Sequence, residues 1–265
     1  MYPKPLVSVL MTAFNSEKYI EEAIESVLAS NYSNFELIVV DDFSKDNTSA
    51  IARTCAMKDE RVKLFYNEKN LGDYPNRNKA ASLAKGKYIK YLDSDDIMYP
   101  HCLDVMVRSM EMFPEAGFGL SSMPDPCKPY PVLLNAREAY LENFNGYGHF
   151  LRAPGSGILK LEAFNKVGGF SGERMIGDAD LWYKMAMYYP LVKMSTFLYW
   201  DRQHENQERQ SSYAKQYPKL QKMVLDRYFN HPDCPLTAKE KIEILKNKRK
   251  QKIKGFILSK LKKII

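Results

Sequence analysis

Residues 88–96 read YIKYLDSDD, and this stretch guides the interpretation of the first hundred residues. YIKYL follows Gly86 and is apolar apart from one lysine, which predicts a buried strand. The strand runs directly into Asp93, Asp95 and Asp96, so that three carboxylates lie within four residues. Ligands bind at the carboxyl ends of strands in parallel sheets, so this end of the strand is a candidate site.

Three apolar runs upstream predict further strands, at Leu6–Met11, Phe35–Val40 and Val62–Tyr66. Each precedes a segment with helical features: an apolar stripe from Tyr19 to Leu28, capping residues at Ser44–Thr48, and the stretch Pro75–Lys85 that stops at Gly86. Strand and helix alternating over short links predict right-handed crossovers. We therefore expect an α/β, Rossmann-like fold with a mostly parallel central sheet and helices on both faces.

The second half of the chain has weaker patterns. They predict a helix at His101–Met112, a proline-rich loop at Met123–Pro131, a turn at Gly168 and Gly169, a helix at Asp178–Met187, a last strand at Lys193–Trp200, a polar loop at Asp201–Ser212, and helices from Tyr213 onward with a break at His231–Pro235. The last helices form a C-terminal extension.

The acidic residues indicate a metal site when they are taken together. Asp41 and Asp42 end the second predicted strand, as Asp93 and Asp95 follow the fourth. If these strands are neighbours, their acidic ends converge on one crevice. Hard carboxylate ligands suit Mg²⁺ or Mn²⁺, which usually also bind substrate phosphates. Taken singly, each group has an alternative as a solvated turn residue or helix cap.

Charge is concentrated at the C-terminus. The chain of 265 residues has a net charge of +7, and the segment from Lys239 onward contains eleven Lys and Arg but only Glu240 and Glu243. Apolar residues recur there at helical spacing between lysines: Ile253, Phe256, Ile257, Leu261, Ile264 and Ile265. Such a helix fits an anionic membrane surface. Its alternative is packing on the catalytic body or on a second subunit of a homodimer.

Several classes of protein are disfavoured. The four cysteines form no CxxC pair, which suits reduced thiols in a cytoplasmic protein. The tail has a single aromatic residue, Phe256, which argues against nucleic-acid binding. TAFNSE follows the first strand where a dehydrogenase needs GxGxxG. A Mg-dependent DxD phosphohydrolase stays an alternative, although the lysine and Ser/Thr that it needs after later strands are not evident.

The motifs resemble those of glycosyltransferase family 2, the inverting GT-A type, over roughly residues 5–210. The resemblance is carried, in this order, by VSVLMTAFN, VDDFSKDNT, NLGDYPNRNKAASLAKGKYIKYLDSDD, GSGILKLEAFNKVGGF, GDADLW and RQHENQ. It implies a GT-A catalytic domain at 1–212, with a nucleotide-sugar-binding half at 1–100 and an acceptor-binding half at 101–212. The C-terminal helical extension then covers 213–265.

The resemblance also implies roles for residues that bind the donor. Thr12 and Asp42 match positions that contact the base and ribose, and Arg77 matches a basic residue near the nucleotide, with a surface arginine as the alternative. Asp93 and Asp95 match the DxD pair, whose second carboxylate usually holds the divalent ion. Further members of this region are the candidates Asp41 and Asp96.

A second group of residues matches the family's catalytic positions. Asp178 matches the catalytic base, and its alternative is a helix N-cap. His204 matches a residue that reaches the metal or the diphosphate, and its alternative is a structural histidine. Arg202 is a candidate for phosphate binding.

The activity implied is transfer of a sugar from a nucleotide-diphosphate donor, with UDP as the default, to a hydroxyl of a glycan or lipid-linked glycan. The setting implied is bacterial surface polysaccharide synthesis at the cytoplasmic face of the membrane, with Mn²⁺ or Mg²⁺ as cofactor. A catalytically weak sugar-nucleotide-binding protein is the other alternative.

Four residues depart from the family pattern. Phe43 replaces a usual glycine, which requires that the turn avoid a positive φ angle or carry strain. Gly177 replaces a frequent glutamate, and the loop from Gly72 to Asn76 carries Tyr74 and Pro75, which are unusual and are expected to shape the nucleotide pocket.

Overall fold

The computed structural model describes residues 4–121, 128–205, 207 and 210–261, and it describes no side chains at 146–147 and 251–261. Part of the predicted loop Met123–Pro131 therefore lies outside the described residues. So do the side chains of all six apolar tail residues named above.

Ten strands are present in these ranges: β1 Val7–Ala13, β2 Phe35–Asp41, β3 Val62–Tyr66, β4 Tyr88–Tyr91, β5 Ile97–Met98, β6 Phe118–Ser121, β7 Val132–Leu134, β8 Gly157–Lys160, β9 Leu191–Met194 and β10 Tyr199–Trp200. The α-helices are α1 Ile20–Leu28, α2 Thr48–Lys58, α3 Asp73–Ser82, α4 Cys102–Glu111, α5 Ala136–Glu142, α6 Leu161–Lys166, α7 Gly177–Tyr188, α8 Tyr217–Phe229 and α9 Ala238–Leu261. A π-helical turn, Asn143–Tyr147, follows α5.

The main sheet has the strand order β3-β2-β1-β4-β8-β6-β9-β7. The first four strands are mutually parallel, as are β6 and β9, whereas β8 and β7 run antiparallel to their neighbours. The expected α/β fold with a mostly parallel sheet and flanking helices is thus confirmed. A separate antiparallel pair, β5 and β10, lies beside it.

Side chains of β1 alternate between two cores. Val7, Val9 and Met11 pack with α1, α2 and α4 on one face of the sheet, whereas Leu10 packs with α3 and α7 on the other. The full burial of both faces explains why the strand is a continuous apolar run and not an alternating one. This layering leaves the ends of the strands as the place for a polar site.

The predicted strand Lys193–Trp200 is wrong as a single element. β9 ends at Met194, and Phe197 has a φ angle of 61°. This left-handed residue turns the chain, so that β10 pairs with β5 instead of continuing the main sheet. The apolar composition of the segment concealed the break, because Leu198 is also buried.

The third helix also ends earlier than expected, at Ser82 and not at Lys85. Gly86 lies against β1, where a Cβ atom would come within 2.6 Å of the Ser8 amide nitrogen. This glycine is therefore required for close backbone approach, and the chain must leave the helix before it.

The C-terminal helices pack on the body of the protein. Phe229 of α8 lies 5.1 Å from Phe144, edge to face, and the ammonium of Lys248 lies 4.8 Å from the same Phe144 ring. Ile244 of α9 is buried in the core that contains α7. Within the described part of the chain, no helix is long and apolar enough to cross a membrane.

Replacing Ile244 with alanine tests this docking of α9. Because Ile244 is 3% exposed, Ile244→Ala should lower the free energy of unfolding by about 2–5 kcal/mol in denaturant titrations. Ile242, on the same helix and 54% exposed, is the matched control, and Ile242→Ala should change stability by less than about 0.5 kcal/mol. Equal effects of the two substitutions would contradict the docked position.

Candidate active site

The acidic turn after β4 brings three carboxylates together. Ligand atoms of Asp93, Asp95 and Asp96 all lie within 4.8 Å of one another. Asp96 is buried, and burial followed by repulsion from Asp93 and Asp95 raises its pKa to about 8. A buried group that resists ionisation beside two other carboxylates indicates a concentration of negative charge, and this fits a divalent cation with oxygen ligands.

Arg77 of α3 also contacts this acidic turn. Its side chain is 7% exposed, with an ion pair of 2.8 Å to Asp93 and a hydrogen bond of 2.7 Å from Nε to Asp73. Its Nη1 is buried and has no hydrogen-bond partner among the described residues. The alternative of an ordinary surface arginine is therefore wrong, and one amino group of the guanidinium is buried with its hydrogen-bonding capacity unsatisfied.

The carboxyl end of β2 is used for loop structure. Asp42 accepts hydrogen bonds from the backbone amides of Leu71 and Gly72, at 2.8 and 2.9 Å, and from the side chain of Asn67. Asp41 accepts from the hydroxyls of Ser44 and Ser49. The turn interpretation thus fits Asp41, and Asp42 secures the loop before α3.

The two strands that end in acidic residues are not direct neighbours, because β1 lies between β2 and β4. Their acidic ends still share one edge, since the three strands are parallel. Thr12 lies near the end of β1, opposite Val40. Beyond it the exposed ring of Phe14 follows β1, and the half-exposed ring of Phe43 follows β2.

Phe43 has a strained backbone conformation, which is one of the two outcomes expected when it replaces glycine. Its φ angle is 67°, in the left-handed region that a bulky residue seldom adopts. Its ring lies 3.2 Å from the ammonium of Lys45, a cation–π contact that offsets part of the strain.

The segment after β10 closes over the acidic turn. Arg202 donates from its backbone amide to Asp96 at 3.0 Å and from Nε to the Asp95 carbonyl at 2.7 Å. Its guanidinium also pairs with Glu22 of α1. These contacts make Arg202 a clamp for the acidic turn, a use that competes with the phosphate binding expected from the sequence.

His204 reaches the predicted DxD pair. Its Nε2 lies 2.8 Å from Oδ2 of Asp95, and its ring lies 4.9 Å from that of Tyr19. Its Nδ1 is buried without a hydrogen-bond partner among the described residues. A nitrogen and a carboxylate in this arrangement can hold a cation between them or reach a bound anion.

Asp178 lies in the first turn of α7, where Ile176 is the N-cap. Its carboxylate accepts a hydrogen bond of 2.7 Å from the amide of Ala179. Burial raises its pKa to about 7, and the nearby charge of Arg77 lowers it in part. A carboxyl group that titrates near neutral pH and is not the helix cap suits a general base.

Tyr74, which was expected in a loop that shapes the nucleotide pocket, lies instead in the first turn of α3 and packs beside Asp178. The phenol ring is 4% exposed and lies directly over Gly177. The only signal in the sequence was that both residues depart from the usual pattern. The structure shows that these two residues are in direct contact.

Comparison with known proteins gives one family. A model described as Glycosyl transferase family 2 matches residues 8–168. The putative teichuronic acid biosynthesis glycosyltransferase TuaG of Bacillus subtilis is 44% identical over 93 residues, which cover 35% of this chain and 37% of that protein. The UDP-Glc:alpha-D-GlcNAc-diphosphoundecaprenol beta-1,3-glucosyltransferase WfgD of Escherichia coli is 41% identical over 105 residues, 40% of this chain and 41% of that one.

Solved structures show the same fold at low identity. Staphylococcus aureus TarS 1–349 in complex with UDP-GlcNAc has a TM-score of 0.69 and 20% identity, covering 90% of this chain and 70% of that one. The mannosyltransferase PcManGT from Pyrobaculum calidifontis with GDP-Man and Mn²⁺ has a TM-score of 0.62 and 18% identity, covering 92% and 75%. By contrast, the matches to the curated relatives span less than half the length of those proteins.

Proposed function

This chain belongs to glycosyltransferase family 2, and we propose on that premise that it transfers a sugar from a nucleotide-diphosphate donor to an acceptor hydroxyl with inversion at the anomeric carbon. The donor is a UDP-sugar of a hexose or N-acetylhexosamine, and the acceptor is a glycan or lipid-linked glycan of a bacterial surface polysaccharide. The names of WfgD and TuaG support this setting.

One observation carries the proposal, namely that Arg77 connects the acidic turn with Asp178. The guanidinium pairs with Asp93 on one side, and its charge acts on the Asp178 carboxylate on the other. A donor diphosphate at the turn and an acceptor hydroxyl at Asp178 would therefore lie in one space. The unsatisfied Nη1 of Arg77 is a donor group for the nucleotide diphosphate.

Asp93 and Asp95 would hold a divalent ion, Mn²⁺ or Mg²⁺, with Asp96 and His204 as the other candidate ligands. Such an ion, when bound, supplies Lewis-acid stabilisation of the charge on the leaving diphosphate. The Arg202 clamp fixes the turn that carries these ligands. Thr12 and Asp42 would bind the nucleoside portion at the ends of β1 and β2.

Asp178 would remove the proton from the acceptor hydroxyl as its oxygen attacks the anomeric carbon. A pKa of about 7 gives a useful fraction of ionised carboxylate at neutral pH and enough basicity to accept the proton. The bond to the leaving diphosphate breaks on the opposite face, which inverts the configuration. The proton ends on Asp178, so one base is sufficient.

The first test concerns the metal ligands. Asp95→Asn should remove Mn²⁺-dependent binding of UDP, measured by isothermal titration, because it deletes a ligand charge in the acidic turn. Asp104→Asn, an exchange on α4 at a carboxylate that pairs with Arg108, is the control and should bind as the unmodified protein does. Unchanged UDP affinity in the Asp95 variant would refute the assignment.

The second test concerns the base. Asp178→Asn should retain donor binding and lose turnover by roughly 10²–10⁴-fold in nucleotide-release assays. In the unmodified enzyme kcat should fall as the pH drops through about 7, because protonated Asp178 cannot accept a proton. Turnover that persists in the variant, or a profile without this acidic limb, would exclude Asp178 as the base.

The basic C-terminal segment supports a location at the cytoplasmic face of a membrane. The segment from Lys239 onward has eleven Lys and Arg against two Glu, and the five lysines after Lys250 would meet anionic headgroups, each contributing about 1 kcal/mol near the surface. The docked position of Ile244 leaves this function to the residues after Lys250.

Removing residues 251–265 tests membrane binding without disturbing the docked part of α9. The shortened protein should lose sedimentation with vesicles that contain anionic lipid, whereas the full chain should sediment with them and not with neutral vesicles. The thermal midpoint of the shortened protein serves as the control for folding. Equal sedimentation of the two proteins would contradict the proposal.

A further inference from the structure

The ring of Tyr74 packs so closely on Gly177 that it leaves no room for a side chain at that position. A Cβ atom built on Gly177 would lie 2.7–2.8 Å from three carbons of the Tyr74 ring, distances that real Cβ atoms do not show. The other side of the ring packs against Phe170, with a centroid distance of 5.1 Å. The phenol is thus held between α7 and the turn before it, with little freedom to move.

The hydroxyl of this ring contacts the residue after Gly177. The phenol O–H donates to the carboxylate of Asp178, and the backbone N–H of Asp178 donates to the phenol oxygen. The carboxylate also accepts from the Ala179 amide at 2.7 Å. Two donors from two different elements, α3 and α7, therefore fix the direction in which the carboxylate points.

We propose that Tyr74 is a positioning residue, which holds the Asp178 carboxylate in the orientation and charge state of a base and which Gly177 makes room for. This inference rests on the proposed function, in which Asp178 accepts the proton of the acceptor hydroxyl. Tyr74 itself does not touch the reacting atoms in this scheme.

The charged surroundings of Asp178 support this role. Arg77 and Asp73 face it from α3 with opposite charges, and Tyr217 lies close on α8. Burial and the nearby carboxylates raise the pKa of Tyr74, so that its hydroxyl stays protonated and remains a donor. A hydrogen bond to an ionised carboxylate favours the ionised form, which opposes the effect of burial on Asp178.

Tyr74→Phe removes this hydroxyl and keeps the ring over Gly177. The acidic limb of the kcat profile should then move up by about one pH unit, from about 7 to about 8, because a hydrogen bond to a charged group is lost. The KM for the donor should be unchanged. Tyr217→Phe is the matched control, since that tyrosine also lies near Asp178 but its side chain hydrogen-bonds Gln221, and its profile should keep the limb near 7.

A second measurement does not depend on turnover. The pKa of Asp178 is higher in the folded protein than in the unfolded chain, so ionisation of Asp178 destabilises the fold. The free energy of unfolding therefore falls as the pH rises from about 4 to about 7, and it stays at the lower value above pH 7. The gain in stability from Asp178→Asn should therefore grow with pH and level off near pH 7. In the Tyr74→Phe background this gain in stability should level off near pH 8. At that plateau, the folding equilibrium constants with and without Asp178→Asn should differ by about tenfold more than they do when Tyr74 is present.

The outcomes separate the two proposals. A plateau and an acidic limb that both stay near pH 7 in Tyr74→Phe would overturn the role of Tyr74. If the plateau moves while Asp178→Asn keeps full turnover, the contact is upheld and the assignment of Asp178 as the base fails. If Tyr74→Phe unfolds, Gly177→Ala provides the same test, because its methyl group displaces the phenol and should produce the same two shifts.

Discussion

The ion pair between Arg77 and Asp93 is the contact on which the geometry of the site depends. It is almost fully withdrawn from solvent at the arginine, and it joins helix α3 to the turn that follows β4. Removing Asp93 would take from the buried guanidinium one of its two carboxylate partners, Asp73 being the other, and removing Arg77 would leave the partly exposed Asp93 carboxylate without its ion pair. The positive charge of this one guanidinium acts on the acidic turn, on the loop before α3 and on the Asp178 carboxylate.

The second constraint comes from the chain after β10. Arg202 holds both the carbonyl of Asp95 and the carboxylate of Asp96, and His204 reaches the side chain of Asp95. The acidic turn is therefore held by contacts with two parts of the chain, helix α3 and the segment after β10. The contacts that orient these carboxylates therefore join parts of the chain more than a hundred residues apart.

The sequence predicted the parallel half of the fold well and the rest only partly. Strands buried on both faces are continuous apolar runs, which is why β1, β2 and β3 were placed within two residues of their true ends. The same rule failed at Lys193–Trp200, where a left-handed Phe197 divides the run. Backbone conformation of this kind leaves no trace in hydrophobicity, so β9 and β10 were merged into one predicted strand, and the short strands β5, β6, β7 and β8 were not predicted.

The candidate site, too, was predicted only in part from the sequence. The acidic residues were found because their types and positions after strands indicate metal chemistry, whereas their individual tasks were not evident. Asp41 and Asp42 have similar sequence contexts, yet one secures its own turn and the other secures the loop before α3. Hydrogen-bond donors from distant loops decide between such tasks, and a sequence does not show which donors will arrive.

The pairing of Tyr74 with Gly177 bears on the energetic cost of burying the Asp178 carboxylate. A carboxylate with a pKa near 7 is destabilising in its ionised form, so the fold must supply donors that limit the penalty without removing the basicity. A glutamate at position 177 would add a second negative charge beside Asp178. Glycine adds none, and the space it leaves admits a neutral donor from α3. The unusual tyrosine and the unusual glycine are thus one solution to a single electrostatic problem, with the donor held by packing and not by charge.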